Sequence, residues 1–257
     1  MSAVKKLRVL CLHGFRTNDK VMMNQTRALR QALGDKAEFS FLNGPFEAQG
    51  PTDADIERVH ANDAPFYEWV AAKRVDKALL DEATHNTTSI TSPNKEWYFE
   101  FVGLDHMVEY VDEYLQRQGP FDVVVGFSQG AVVLTSLSMM YLERDIRWWN
   151  LCVCVGGVRV RGVSMRPYFE KPDGSGPKLV PFPSIHIIGK NDPLYSESIK
   201  LAEMYEDDPE GATIPKKVFE HDGGHSFPSA KHNPGLYENL AELMVQHCHM
   251  TKSVSKI

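Results

Sequence analysis

Residues 119–131 read Gly-Pro-Phe-Asp-Val-Val-Val-Gly-Phe-Ser-Gln-Gly-Ala, and this stretch decides how the rest of the chain is read. An apolar run at 122–125 stops at Gly126-Phe127-Ser128-Gln129-Gly130, and a helical pattern begins near Gln129 and continues to Leu142. A strand that passes so abruptly into a helix leaves no room for side chains at the flanking positions. Gly126 and Gly130 remove the Cβ atoms that would collide there. Ser128 occupies the serine position of the G-x-S-x-G pattern, in which a strained turn lifts a hydroxyl above the carboxyl end of a strand. The following helix points the positive end of its dipole at any negative charge that develops beside that hydroxyl.

Working outward, short apolar runs alternate with helical patterns. Segments 7–12 (LRVLCL), 38–42, 122–125, 151–155, 184–188 and 217–220 read as six strands, several of them apolar on both faces. Strands of a parallel sheet covered by helices on each side have that character. Helices are expected at 23–33, ending before Gly34; at 104–118, ending at Gly119-Pro120; and at 129–142, 196–205 and 236–248. The alternation predicts a doubly wound α/β domain with a mostly parallel six-stranded sheet and helices on both faces. Residues 44–97 interrupt the rhythm. No strand is expected there, a helix is possible over 66–83, and a polar tract follows at 84–94, so the segment reads as a lid-like insertion. A second irregular segment spans 159–183. The domain is otherwise expected to be single and to cover residues 1–257.

Composition narrows the function classes. The chain has 257 residues, 42% of them apolar and 24% charged, as expected of a globular protein. Its formal net charge of −6 argues against a surface built to neutralise phosphates, so nucleic acid is not an expected partner. No apolar run is long enough to span a bilayer. The N-terminus has neither a long apolar region nor a cleavage site, and the chain reads as cytoplasmic. Cys11, Cys152 and Cys154 sit inside strand-like runs as small buried hydrophobes, without metal-ligand spacing. The final Ser255-Lys256-Ile257 is close to a peroxisomal address, a weaker alternative for its location.

A serine hydroxyl needs a base, and the base needs an orienting acid, in the chain order Ser, Asp/Glu, His. His225 lies in His221-Asp222-Gly223-Gly224-His225-Ser226-Phe227-Pro228, just past the last strand, where two glycines let the backbone carry an imidazole over the sheet edge. His221 is its rival but abuts the strand. Histidines 85, 106, 232, 247 and 249 fall on helices or polar loops and are expected at the surface. Asp192, in Gly189-Lys190-Asn191-Asp192-Pro193, follows the preceding strand at its carboxyl end and is preferred to Asp222. The backbone N–H groups of Gln129, after the serine, and of Phe15, in the loop after the first strand, are the candidate oxyanion donors. His13 reads as a brace for that loop. Trp97, Tyr98 and Phe227 are candidate substrate-binding aromatics.

Four segments, LRVLCLHGF, GPFDVVVGFSQGA, GKNDP and GGHSFP, together resemble the FSH-type serine hydrolases of the α/β-hydrolase superfamily, over Leu7 to about Cys248. The resemblance implies hydrolysis of carboxylic esters or thioesters, with Ser128, Asp192 and His225 as the triad, Phe15 and Gln129 as the backbone donors, and no cofactor or metal. Residues 44–97 and Trp97-Tyr98-Phe99 depart from the pattern, and GFSQG also occurs in acyl-protein thioesterases and carboxylesterases. The expected partner is a small ester or thioester with an apolar acyl group. A non-catalytic binding protein on the same scaffold and an acyltransferase using the same triad are the alternatives.

Overall fold

The strand β1 (Leu7–Leu12) organises a parallel sheet whose spatial order is β10-β9-β8-β7-β1-β2. The computed structural model describes residues 5–76 and 97–250. The other main-sheet strands are β2 (Ala37–Leu42), β7 (Val123–Phe127), β8 (Leu151–Val155), β9 (Ser184–Gly189) and β10 (Lys217–His221). The short strands β3 (Phe46–Glu47), β4 (Tyr67–Glu68), β5 (Ala71–Asp76) and β6 (Trp97–Val102) form two separate antiparallel pairs. All six expected strands are present, and β7, β8 and β9 are buried along their whole length. The fold is the α/β-hydrolase arrangement.

Helices cover both faces. On one lie α1 (Asp19–Gln25), α2 (Arg27–Leu33) and the C-terminal α8 (Leu236–Met250), packed on Leu7, Val9 and Cys11 of β1. On the other, Leu10 and Leu12 meet α4 (Leu104–Gln118), α5 (Gln129–Leu142) and Leu201 of α7 (Tyr195–Glu203). Alternate β1 side chains thus enter different cores, as the two-residue period of a strand requires. The helix expected over 23–33 is two helices that meet at Thr26. Its hydroxyl donates to Met22 O at 2.8 Å, a back-bond that competes with the helical ladder. Helix α5 is almost entirely buried. Two of its polar residues bond back to the preceding turn, Thr135 donating to Ala131 O at 2.7 Å and Ser138 to Leu134 O at 2.8 Å.

Residues 44–76 differ from expectation in having strands, alongside the short helix α3 (Ala54–His60). Tyr67–Glu68 and Ala71–Asp76 are extended, so the possible helix over 66–83 is absent from its described part. The reason is a distant partner. β5 pairs antiparallel with β6 from Ala71↔Val102 to Asp76↔Trp97, satisfying backbone groups that a local pattern leaves open. The second irregular segment, 159–183, carries a short helix, α6 (Arg166–Phe169). It joins this hairpin where Phe99 N donates to Arg161 O at 2.8 Å. Of the expected surface histidines, His247 is buried beside Thr213, whose hydroxyl lies 2.8 Å from its Nδ1. His106 and His232 are exposed. His85, the tract 84–94, the side chain of His249 and the tripeptide Ser255-Lys256-Ile257 lie outside the described residues.

The order of the sheet fixes where a site can form. β1 lies between β2 and β7, so the chain leaves β1 towards one side and returns on the other. The connections after β1 and β7 therefore run to opposite sides of the sheet, which puts the topological switch point, where sites form in such sheets, at the carboxyl ends of these two strands.

Two histidines buried in this fold make it sensitive to acid. Burial lowers His13 to about 4 and His186 to about 3. In the unfolded chain both titrate near 6.5, so below that pH the unfolded state takes up protons that the native state cannot. Stability should therefore decline as pH falls from about 6.5 to about 4, with no slope from these groups above it. Urea unfolding midpoints across that range, compared with those of His186→Asn, check this. Identical slopes would assign the acid sensitivity elsewhere.

Candidate active site

The elbow after β7 is built on backbone contacts too close for any side chain. A Cβ on Gly126 would lie 2.5 Å from Gly130 O, and one on Gly130 would lie 2.2 Å from Leu12 O. Between them Ser128 adopts φ 51° and ψ −114°, a left-handed conformation that costs a non-glycine residue on the order of 1–3 kcal/mol. Its N–H donates to Val155 O at 2.9 Å, which ties the turn to β8. The Ser128 side chain therefore projects over the ends of β7 and β8.

His225 and Asp192 meet it there. His225 Nε2 is 2.9 Å from Ser128 Oγ, and His225 Nδ1 is 2.6 Å from Asp192 Oδ2. The carboxylate can only accept, so Nδ1 carries the proton and Nε2 presents its lone pair to the hydroxyl. The Asp192 side chain is fully buried, and its other oxygen accepts the Leu194 N–H at 2.7 Å. Charge-assisted bonds of this kind are among the stronger ones in proteins. The imidazole rests on Phe127, ring centres 5.2 Å apart, and against Gly156, where a Cβ would lie 3.2 Å from its Cε1.

Two loops deliver this pair, and they are fastened together. Lys190 N donates to His221 O at 2.8 Å, Asn191 N to Gly223 O at 3.1 Å, and Asn191 Nδ2 to Asp222 O at 2.6 Å. His221 accepts the Gly223 N–H through Nδ1 at 3.1 Å, so it shapes the turn that carries His225. Asp222 instead pairs at the surface with Lys190 at 3.0 Å. Sequence reading singled out Asp192 and His225 but missed Asn191, whose signal is only an amide beside an aspartate.

The loop after β1 closes the other side. A Cβ on Gly14 would lie 2.8 Å from the Phe127 ring and 3.5 Å from Ser128 Cβ, so this loop lies directly on the elbow. Among the described residues, no acceptor takes the N–H of Phe15 or of Gln129. His13 is buried with both nitrogens engaged. Nε2 accepts the Gly44 N–H at 2.9 Å, leaving Nδ1 to donate to Gly14 O at 2.7 Å. It braces the loop.

Residues 44–76 are clamped onto this assembly through Trp69. Its indole N–H donates to His13 O at 2.9 Å, and its backbone N–H donates to Gln129 Oε1 at 3.3 Å. Gln129 Nε2 donates in turn to Val70 O at 3.0 Å, and Arg16 pairs with Glu68 at 2.6 Å. The Gln129 side chain thus tethers the segment to the elbow, a role its place in the motif did not reveal.

A cavity of about 420 Å³ opens beside Ser128. Phe15, Val70, Phe99, Phe101, Leu104, Met107, Val132 and Val133 give it apolar walls, and Arg16, Arg74, Arg159 and Arg161 are among its charged residues. The expected aromatics need correcting. Strand alternation turns Phe99 and Phe101 to the cavity and leaves Tyr98 on the other side, under the Arg166 guanidinium at 5.7 Å. Phe227 packs on Phe127, ring centres 5.4 Å apart, and borders a separate cavity with His221. Trp97 pairs with Asp76 through its backbone, and its side chain lies outside the described residues. Among the described residues, no group of three or more His, Cys, Asp or Glu is arranged to hold a metal ion, and no helix is long and apolar enough to cross a membrane.

Replacing Gln129 by alanine removes both tethers and leaves the Val70 carbonyl without its donor. A loss of about 1–3 kcal/mol in unfolding free energy is expected, together with faster proteolysis within 44–76. Unchanged proteolysis would show that the remaining contacts, those of Trp69 with His13 and of Glu68 with Arg16, hold the segment without Gln129.

The family model described as serine hydrolase (FSH1) matches residues 1–235. The chain is 29% identical to the human Esterase OVCA2 over 242 residues, covering 90% of this chain and 93% of the relative. It is 27% identical to the Caenorhabditis elegans Esterase C25G4.2 over 243 residues, covering 90% and 91%. Among solved structures, the Bacillus cereus carboxylesterase aligns with a TM-score of 0.53 at 15% identity, over 95% of this chain and 89% of that one. The type II thioesterase BorB aligns with a TM-score of 0.50 at 14% identity, over 93% and 92%. The two structures share the fold with a chain whose family rests on sequence: it belongs to the FSH1 serine hydrolases.

Proposed function

We propose that this enzyme cleaves carboxylic esters or thioesters through an acyl-enzyme on Ser128, with His225 as general base and acid and Asp192 as its orienting carboxylate. The observation that carries the reading is the unbroken hydrogen-bonded chain from Asp192 through His225 to Ser128, 2.6 and 2.9 Å long at its two links, beside an apolar cavity. As Ser128 Oγ adds to the carbonyl carbon, its proton passes to His225 Nε2 and the carbonyl electron pair moves onto oxygen. The Phe15 and Gln129 N–H groups are the proposed donors to that oxyanion, aided by the N-terminus of α5. Collapse of the adduct breaks the bond to the leaving alcohol or thiol, which takes the proton from His225. Water then adds to the acyl-serine with its proton going to His225, and the acid departs as Ser128 regains its hydrogen.

The apolar walls of the cavity support an apolar acyl chain, and removing such a chain from water contributes about 0.8 kcal/mol per buried methylene. The reading treats the described chain as one α/β-hydrolase domain in which residues 44–76, clamped over the elbow by Trp69 and Glu68, roof the acyl pocket.

Ser128→Ala and His225→Ala should reduce kcat for p-nitrophenyl esters to background. Asp192→Asn should lower it by roughly 10³–10⁴-fold, because the imidazole then loses its tautomeric control. Each variant should unfold at a midpoint near that of the wild type. Retained turnover in Ser128→Ala would place the nucleophile elsewhere. Across acyl lengths, kcat/KM should rise from acetyl to medium chains, and a flat profile would remove the pocket assignment.

A further inference from the structure

One wall of the cavity beside Ser128 is a single stripe of α5. Gln129, Val132, Val133 and Ser136 stand at i, i+3, i+4 and i+7, the spacing that puts residues on one face of a helix. Ser136 is the last residue of α5 on that wall, about 12 Å along the axis from Ser128 at the usual helical rise. Three arginines of the lining have counter-ions within the protein. Arg16 pairs with Glu68 at 2.6 Å, and Arg159 and Arg161 each lie 3.7 Å from Glu197.

Ser136 has no such partner. It is 2% exposed, and its Oγ makes no hydrogen bond. A remedy exists within the helix, and Ser136 does not use it. Thr135 and Ser138 donate to the carbonyls four residues back, whereas the Ser136 hydroxyl makes no such bond to Val132 O. Its neighbours one turn away on the helix, Val132, Val133, Met139 and Met140, are all apolar. Such side chains do not hold a water, which when buried typically makes about three hydrogen bonds. A hydroxyl buried without a partner costs free energy. On the cavity wall, a bound ligand can supply the missing bond.

We infer that the acyl group carries a neutral hydrogen-bonding oxygen, a hydroxyl or a ketone, where it reaches Ser136, and that Ser136 selects for it. The inference deepens the proposed function and rests on Ser128 as the nucleophile. An extended chain advances about 3.3–3.6 Å for every three bonds, so this separation places the oxygen roughly eight to ten carbons from the scissile carbonyl. The serine hydroxyl both donates and accepts, so it suits either oxygen. Val132 and Val133, nearer the nucleophile, match the methylenes before it. The stripe thus reads a position along the chain as well as its apolar character.

The test uses the full-length enzyme and p-nitrophenyl esters of dodecanoic acid. One chain is plain, and the others bear a hydroxyl or a ketone at the third, eighth, ninth or tenth carbon. The best of the distal oxygens should raise kcat/KM over the plain chain by about ten-fold, while an oxygen at the third carbon should bring no gain. In Ser136→Ala the ratio of that best ester to the plain one should fall to about one. Parity between the plain and the distally oxygenated chains, the result expected if a trapped water satisfies Ser136, overturns the inference while leaving the esterase standing. So does an equal gain from the third carbon, or a gain that Ser136→Ala leaves intact. Should that variant not fold, Ser136→Cys takes its place, since a thiol is a weak hydrogen-bond partner, and a ratio it leaves intact counts against the inference. Absence of turnover on every ester, the plain one included, removes the catalytic reading itself.

Discussion

Everything at the site depends on how closely three pieces of backbone approach one another. The end of β7, the first turn of α5 and the loop after β1 meet where Gly126, Gly130 and Gly14 stand, at separations that leave no space for a Cβ. That contact forces Ser128 into its left-handed turn, and it brings the loop bearing Phe15 against the elbow. The strain persists because the neighbouring strands and the buried α5 over-determine the turn, as is usual where a local conformation serves chemistry. Parallel strands on both sides of β7 make the platform rigid. Loops that follow β8, β9 and β10 can then add Gly156, Asp192 and His225 to one spot from three separate positions in the chain.

A second layer of order comes from buried polar groups with designated partners. His13 stays neutral because burial disfavours its charge, and each nitrogen has one backbone contact that fixes its tautomer. Trp69 and Gln129 exchange hydrogen bonds with His13 and Val70, so the segment between β2 and β6 is fastened to the machinery and not merely laid across it. The loops that carry Asp192 and His225 are likewise stitched by Asn191 and His221. These bonds are individually modest, about 0.5–1.5 kcal/mol each. Their value lies in holding side chains to within fractions of an ångström of a working geometry.

Much of this was legible in the sequence where the signal is local. The G-x-S-x-G turn between an apolar run and a helical run, the glycines around His225 and the Asp-Pro turn after β9 are all short-range patterns, and the structure brings the three expected side chains into one hydrogen-bonded chain. Residues 66–76 were harder. Their strands exist because of partners at 46–47 and 97–102, and pairing across such distances leaves no periodic mark in a short window. The same limitation hid the wall of the cavity. Tyr98 and Phe99 are equally aromatic, and only the register of β6 decides which one faces the cavity. Neither could the sequence foresee that Gln129 would act through its side chain, since the motif constrains its backbone.

The central claim is that the Ser128 hydroxyl is the activated nucleophile of this fold. It is tested most directly by intact-protein mass spectrometry after treatment with a fluorophosphonate, followed by peptide mapping. The account predicts one phosphonyl group per native chain, located on Ser128 and lost when the protein is unfolded before treatment. A folded chain that remains unmodified, or one that carries the group on another residue, would contradict it.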